Sequence, residues 1–235
     1  MSATSEAAGK ELSVFEKISN IFFAPRKTFE SLDRKPDWII PLVIVLLITF
    51  IVTSVLMPII MPEQMAKQRA KMEERGMSQD EIDRAMAATE KFSGIFGTVM
   101  GVIGTLIMLL IIAALLLFVG NVILGGQTSF KKMFSGLCYS SLISSLGSII
   151  LTPIILAKKS MDVSFSFASF LSSDASETLI YEFLKKIDFF AIWEIIVLAI
   201  GFSVFYKFST KKSMITIGSL YAIYVIISLA VKSIF

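Results

Sequence analysis

The sequence reads as an all-α integral membrane bundle: five transmembrane helices, an N-terminal amphipathic surface helix before them, and a polar helical hairpin between the first and second spans. Three features lead there. Hydrophobic residues make up 55% of the 235 and charged residues only 17%, where a water-soluble domain carries about a quarter charged. Mean hydropathy is +0.77. The apolar residues gather into runs that each meet the roughly 17 to 25 residues needed to cross about 30 Å of hydrocarbon.

Residues 1–37 form a polar lead with six Lys or Arg and six acids. It lacks the short apolar core and small-residue cleavage site of a secretory signal, so no cleavage is expected. Val14, Phe15, Ile18, Ile21 and Phe22 recur at helical period opposite Glu16, Lys17 and Asn20, which predicts a short helix lying on the membrane surface. Packing beneath the bundle is the alternative. Pro25 suits the first turn of a second helix. Arg26, Lys27, Arg34 and Lys35 then lie within reach of anionic headgroups or a protein partner, and Trp38 sits at the interface.

The membrane domain, 38–235, has predicted spans at about 38–61, 95–124, 133–157, 189–206 and 213–231. Residues 63–91 between the first two carry six basic and seven acidic residues, so this part lies in water as a helical hairpin. Gly76 stops its first arm, and Ser78 with Glu81 three residues later opens the second as a capping box. The charge-free run 92–130 is 39 residues long. That is longer than one bilayer crossing needs, while two spans with a turn would use nearly every residue. No turn signal sits in its middle, so the reading is one span of about 95–124 ending near the helix-stopping pair Gly125-Gly126, with two spans as the alternative. In 158–188, VSFSFASFLSS alternates Phe with Ser. It is too short to span, and is expected to rest in the interface or fold back over the bundle.

Five spans put the termini on opposite sides. Counting Lys and Arg gives eleven on each side, but the two shortest loops hold Lys131, Lys132, Lys207, Lys211 and Lys212 without any acid. Both are on the N-terminal side, which predicts a cytoplasmic N-terminus and an extracytoplasmic C-terminus in the cell (inner) membrane.

Composition excludes much chemistry. With no histidine there is no Ser-His-Asp triad and no imidazole base. Cys138 is alone, which rules out disulfide frameworks and cysteine metal clusters. A net charge of +3 is too small to suggest nucleic acid. No cofactor or metal is expected, nor any enzymatic activity.

The polar candidates are few. The third span has a ridge of small residues at Gly136, Ser140, Ser144 and Ser148, and the second has Gly94, Gly97, Gly101 and Gly104. Close helix packing between these two spans is the first reading, with a polar solute path or a homo-oligomer face as the others. Glu194 is the one acid within a span, six residues into its run. There it can snorkel beside Trp193 to the headgroups or accept from a serine of another span, or else it carries a proton or cation. Asp188 suits the N-cap of the fourth span, and Asn121 is expected to clasp the bundle.

The strings IFFAPRKTFESLDRKPDWIIPLVI, LGGQTSFKKMFSGLCYSSL, FSFASFL and IDFFAIWEIIVLAIGFSVF resemble, in that order, the landmarks of the Yip family, multi-pass membrane proteins named for interaction with Ypt/Rab GTPases. The similarity runs from about Phe15 to the C-terminus. The landmark positions are Pro25, Phe29 and Trp38, then Gly125, Gly126, Phe130 and Tyr139, then Asp188, Phe189, Trp193 and Gly201. Members often have proline where Ile143 stands here. The lead also lacks the Asp-Leu-Tyr-Gly type motif of eukaryotic members, so the chain is similar to the short prokaryotic branch. The resemblance implies fold and membrane residence, while a GTPase partner does not carry over. The expectation is a membrane organiser or adaptor binding protein partners or membrane lipid. The alternative is a permease for a small solute, ion or lipid that uses the Ser-lined third span and Glu194.

Overall fold

The computed structural model describes residues 11–161, 163–171 and 178–234, with backbone only at 63, 90–95 and 233–234. The predicted starts of the lead and of the second span, the surroundings of Gly94 and the last two serines of the Phe/Ser string therefore lie outside the described side chains. Among the described residues there are no strands. One antiparallel bridge joins Ser166 to Asp188.

The described residues form eight α-helices in order: α1 Val14–Phe23, α2 Pro25–Arg34, α3 Ile39–Glu74, α4 Gln79–Phe118, α5 Phe130–Lys158, α6 Leu179–Lys186, α7 Phe189–Tyr206 and α8 Thr210–Ile234. Five of them, α3, α4, α5, α7 and α8, are long and apolar enough to cross a membrane. The predicted hairpin is built as extensions of two spans. α3 runs past Pro58 and Pro62 to Glu74, the chain turns at Gly76 with φ +73°, and α4 starts on the Ser78–Glu81 capping box. Arg69 braces the turn by reaching Asp83 at 3.1 Å.

The long run is a single span. α4 ends in a π-helical turn, Val119–Ile123, and Gly125 takes φ +67°, a conformation a Cβ would strain. Asn121 does not clasp the bundle as expected. Its side chain accepts from Thr128 N–H and donates to Thr128 C=O, both at 3.1 Å, and so holds the loop that follows its own helix. A helix end leaves backbone groups unpaired, and a short amide side chain satisfies them locally.

Inside lipid, apolar burial does not drive helices together, and close packing has to do so. The described core draws on every α-helix but α6, and one part of it forms where α2, α5 and α7 meet. Phe29 is fully buried there, its ring edge-on to Phe205 with centroids 5.7 Å apart. Two glycines make room for it. A Cβ on Gly201 would stand 2.6 Å from the Phe29 ring, and one on Gly136 would stand 2.6 Å from Phe205. The second and third spans do pack on each other, but among the described residues not through their two glycine faces. Gly97 and Gly101 face Met57 and Thr53 of α3, whereas Gly136 faces Phe205 and Phe29.

The lead packs one face against the bundle. Ile21 is fully buried, and Phe22 lies edge-on to Trp193 at 5.9 Å. Lys17 does not belong to a solvated face. It is buried and paired with Asp37, whose other oxygen accepts from Tyr139 at 2.6 Å. The Thr28 hydroxyl donates to Lys17 C=O at 2.9 Å, joining α1 to α2. Phe15 and Phe23 remain outward, 80% and 86% exposed.

Candidate functional site

Two places gather the predicted polar residues. The first is the end of the bundle where α2 packs on α7 and the head of α5 and reaches the start of α8. Arg26 donates to Thr210 Oγ1 at 3.1 Å, and Lys35 pairs with Glu11 at 3.1 Å. Lys27 and Arg34 are exposed and form no ion pair among the described residues. Trp38 is partly buried, its ring 5.6 Å from that of Phe134.

Asp33 fixes this end. Its carboxylate accepts from Lys132, in the first turn of α5, at 2.7 Å, and from Lys207, between α7 and α8. Partial burial pushes the Asp33 carboxyl upward, but the hydrogen bonds and charges of the two lysines outweigh it and hold it below the usual carboxylate value. The basic residues of the lead are thereby held beside Lys131, Lys211 and Lys212, all exposed. At the elbow between α1 and α2 a cleft of about 420 Å³ opens, lined by Arg26, Lys27, Glu30, Ile200 and Thr210 among others.

The second place is inside the bundle. Glu194 does not snorkel beside Trp193. It accepts from Ser141 at 2.9 Å through one oxygen and from Ser144 through the other. Ser144 is the midpoint of α5. Six residues from a helix start placed Glu194 near the headgroups only on the premise that α7 begins level with its neighbours, and it does not. Gly147 of α5 lies against Phe190, so α5 continues eleven residues past the start of α7, about 16 Å at 1.5 Å per residue. The Phe/Ser segment folds back into that recess. Phe165 meets Phe190 at 5.4 Å, and Phe189 N–H donates to Phe165 C=O at 3.1 Å. Asp188 caps α7, accepting from the N–H groups of Phe190 and Ala191 at 2.9 and 3.1 Å.

Beside Glu194 is a cavity of about 320 Å³ walled by α3, α4, α5 and α7, with Thr49, Thr53, Thr105, Ser141, Ser144, Ser145 and Ser148 in its lining. Ser140 of the predicted ridge is fully buried, and it donates to Gly136 C=O at 2.9 Å. Sequence reasoning missed the threonines, although Thr49 and Thr53 stand one helical turn apart on the first span. It also missed Asp33 and Asp37, whose composition is that of any solvated lead.

The family described as Yip1 domain matches residues 19–231 of the chain. The chain is also similar to "Membrane protein YknW" of Bacillus subtilis (strain 168), at 30% identity over 157 residues, 67% of this chain. The match covers 65% of that relative's length, just under two thirds. No solved structure matches the chain.

Proposed function

The chain belongs to the Yip1 domain family, and from that premise we propose that this multi-pass membrane protein is a non-enzymatic organiser or adaptor that docks anionic lipid or a protein partner at its basic end. One observation carries the reading: Asp33 ties the lead to the head of α5 through Lys132 and to the loop between α7 and α8 through Lys207. Exposed Arg26, Lys27, Arg34 and Lys35 are therefore presented on a fixed support. Preorganised charge loses less freedom on binding than charge on a loose tail. The outward Phe15 and Phe23 add apolar contact beside it, as an interfacial helix does. The same end is cytoplasmic in this reading, because the short loops that share it are purely basic.

The test is purification from nanodiscs of mixed phosphatidylglycerol and phosphatidylcholine, with bound lipid counted by mass spectrometry. The native chain should enrich the anionic lipid, or retain a defined partner from its own membrane. Replacing Arg26, Lys27, Arg34 and Lys35 together by Gln should abolish this. Unchanged enrichment in the quadruple variant removes the lead as the docking surface.

The cavity at Glu194 supports a second reading, a permease for a small solute, ion or lipid. Liposome flux that falls in Glu194→Gln tests it.

A further inference from the structure

Of the seven hydroxyls that line the Glu194 cavity, all but Thr53 have committed their protons. Thr49 donates to Val45 C=O at 2.9 Å and Thr105 to Gly101 C=O at 2.9 Å. Ser145 donates to Ser141 C=O at 2.9 Å and Ser148 to Ser144 C=O at 3.0 Å. Ser141 and Ser144 donate to the two oxygens of Glu194. A hydroxyl has one proton and two lone pairs. Six hydroxyls that have given their protons away leave lone pairs as what they can still offer. The cavity is thus an assembly of acceptor oxygens around a carboxylate. No lysine or arginine lines it, and among the described residues the hydrogen-bond partners of Glu194 are the two serines.

A carboxyl held among helices without a positive side chain beside it either keeps its proton or exchanges it for a cation. Its two serine donors supply dipoles, not charge. An anion would meet a negative group and, Thr53 apart, donors already in use. A divalent cation would find one carboxylate where its sites usually hold several. All-oxygen ligation with a single negative charge suits a hard monovalent cation. A cavity of about 320 Å³ also has room for waters to complete its shell, at about 30 Å³ each.

We infer that Glu194, Ser141 and Ser144, with the hydroxyls facing them from α3, α4 and α5, form a binding site for a monovalent alkali cation at the middle of the bundle. The site lies apart from the basic end. It requires neither docking there nor transport through the bundle.

Purified protein in a neutral detergent is melted in NaCl, KCl and choline chloride at equal ionic strength and fixed pH. A ligand that binds the folded state stabilises it with a saturable dependence on concentration. The melting temperature should rise in NaCl or KCl over choline chloride, and the rise should saturate. Glu194→Gln should melt at one temperature in all three salts. Should that variant fail to fold, Ser144→Ala, which keeps the carboxylate, should need several-fold more cation for half of the shift. Equal melting of the native chain in the three salts overturns the site. So does a cation-dependent rise that persists in Glu194→Gln or is unmoved in Ser144→Ala.

Discussion

Asp33 near the end of α2 accepts a hydrogen bond from Lys132 Nζ at 2.7 Å, linking the lead to the head of the third span across ninety-nine residues of sequence. With Lys207 on its second oxygen, this carboxylate holds three separate segments. Its native-state value is depressed, so the stabilisation it gives is present above the ordinary carboxylate range. It is lost as pH falls through the lowered value. Melting temperature in detergent should therefore drop in acid for the native chain, and drop less steeply for Asp33→Asn. At neutral pH the variant should cost roughly 1 kcal/mol, the upper scale of a partly exposed ion pair.

The Phe29 ring between Gly136 and Gly201 is the main apolar anchor of the lead. Phe29→Ala should destabilise the packed lead by about 3 to 5 kcal/mol. Limited trypsin digestion should then cut at Arg26, Lys27 or Arg34 far faster than in the native chain. Gly201→Leu, which fills the same space from the α7 side, should give the same digestion pattern.

Lys17, Asp37 and Tyr139 form a connected polar group and should behave as one. Tyr139→Phe removes one donor and should cost about 1 to 3 kcal/mol. Lys17→Met leaves Asp37 without its charge partner and should cost at least as much. If the three act together, Lys17→Met/Asp37→Leu will melt closer to the native chain than Lys17→Met alone. Strict additivity in this double-mutant cycle would show the contact to be energetically idle.

The hairpin turn should respond independently of the spans. Ser78 accepts from Glu81 N–H while the Glu81 carboxylate accepts from Ser78, and these bonds hold Glu81 below its ordinary value. Ser78→Ala should cost about 1 kcal/mol locally. Hydrogen exchange should quicken in the first turn of α4, around Glu81 and Asp83, with α5 and α7 unchanged.

Local signals survive folding where their physics is local. The Ser78–Glu81 capping box, the Asp188 N-cap and the stop at Gly125 each satisfy backbone groups within a few residues. The burial of Lys17 and the depth of Glu194 are set by contacts between segments, although the serine partners of Glu194 agree with one of its readings. The pattern around Lys17 describes a helix face but not what covers it, and covering it requires Asp37 from another segment. Distance from a helix end describes depth only when neighbouring helices start level, and α7 begins beside Gly147, far from either end of α5.

The amino-acid order alone determined that five segments of this chain are helices suited to lipid, because a backbone in hydrocarbon must satisfy its own hydrogen bonds and the length of an apolar run is written in the sequence. It also determined the ends of several of them. Only the tertiary structure decided which small-residue face meets which helix, and that Asp33 binds two distant lysines. Only it decided that the lone intramembrane acid looks into a hydroxyl-lined cavity at the midpoint of α5. Those outcomes depend on the relative height and rotation of helices, which are set by how side chains such as Phe29 interlock rather than by the pattern along any one of them.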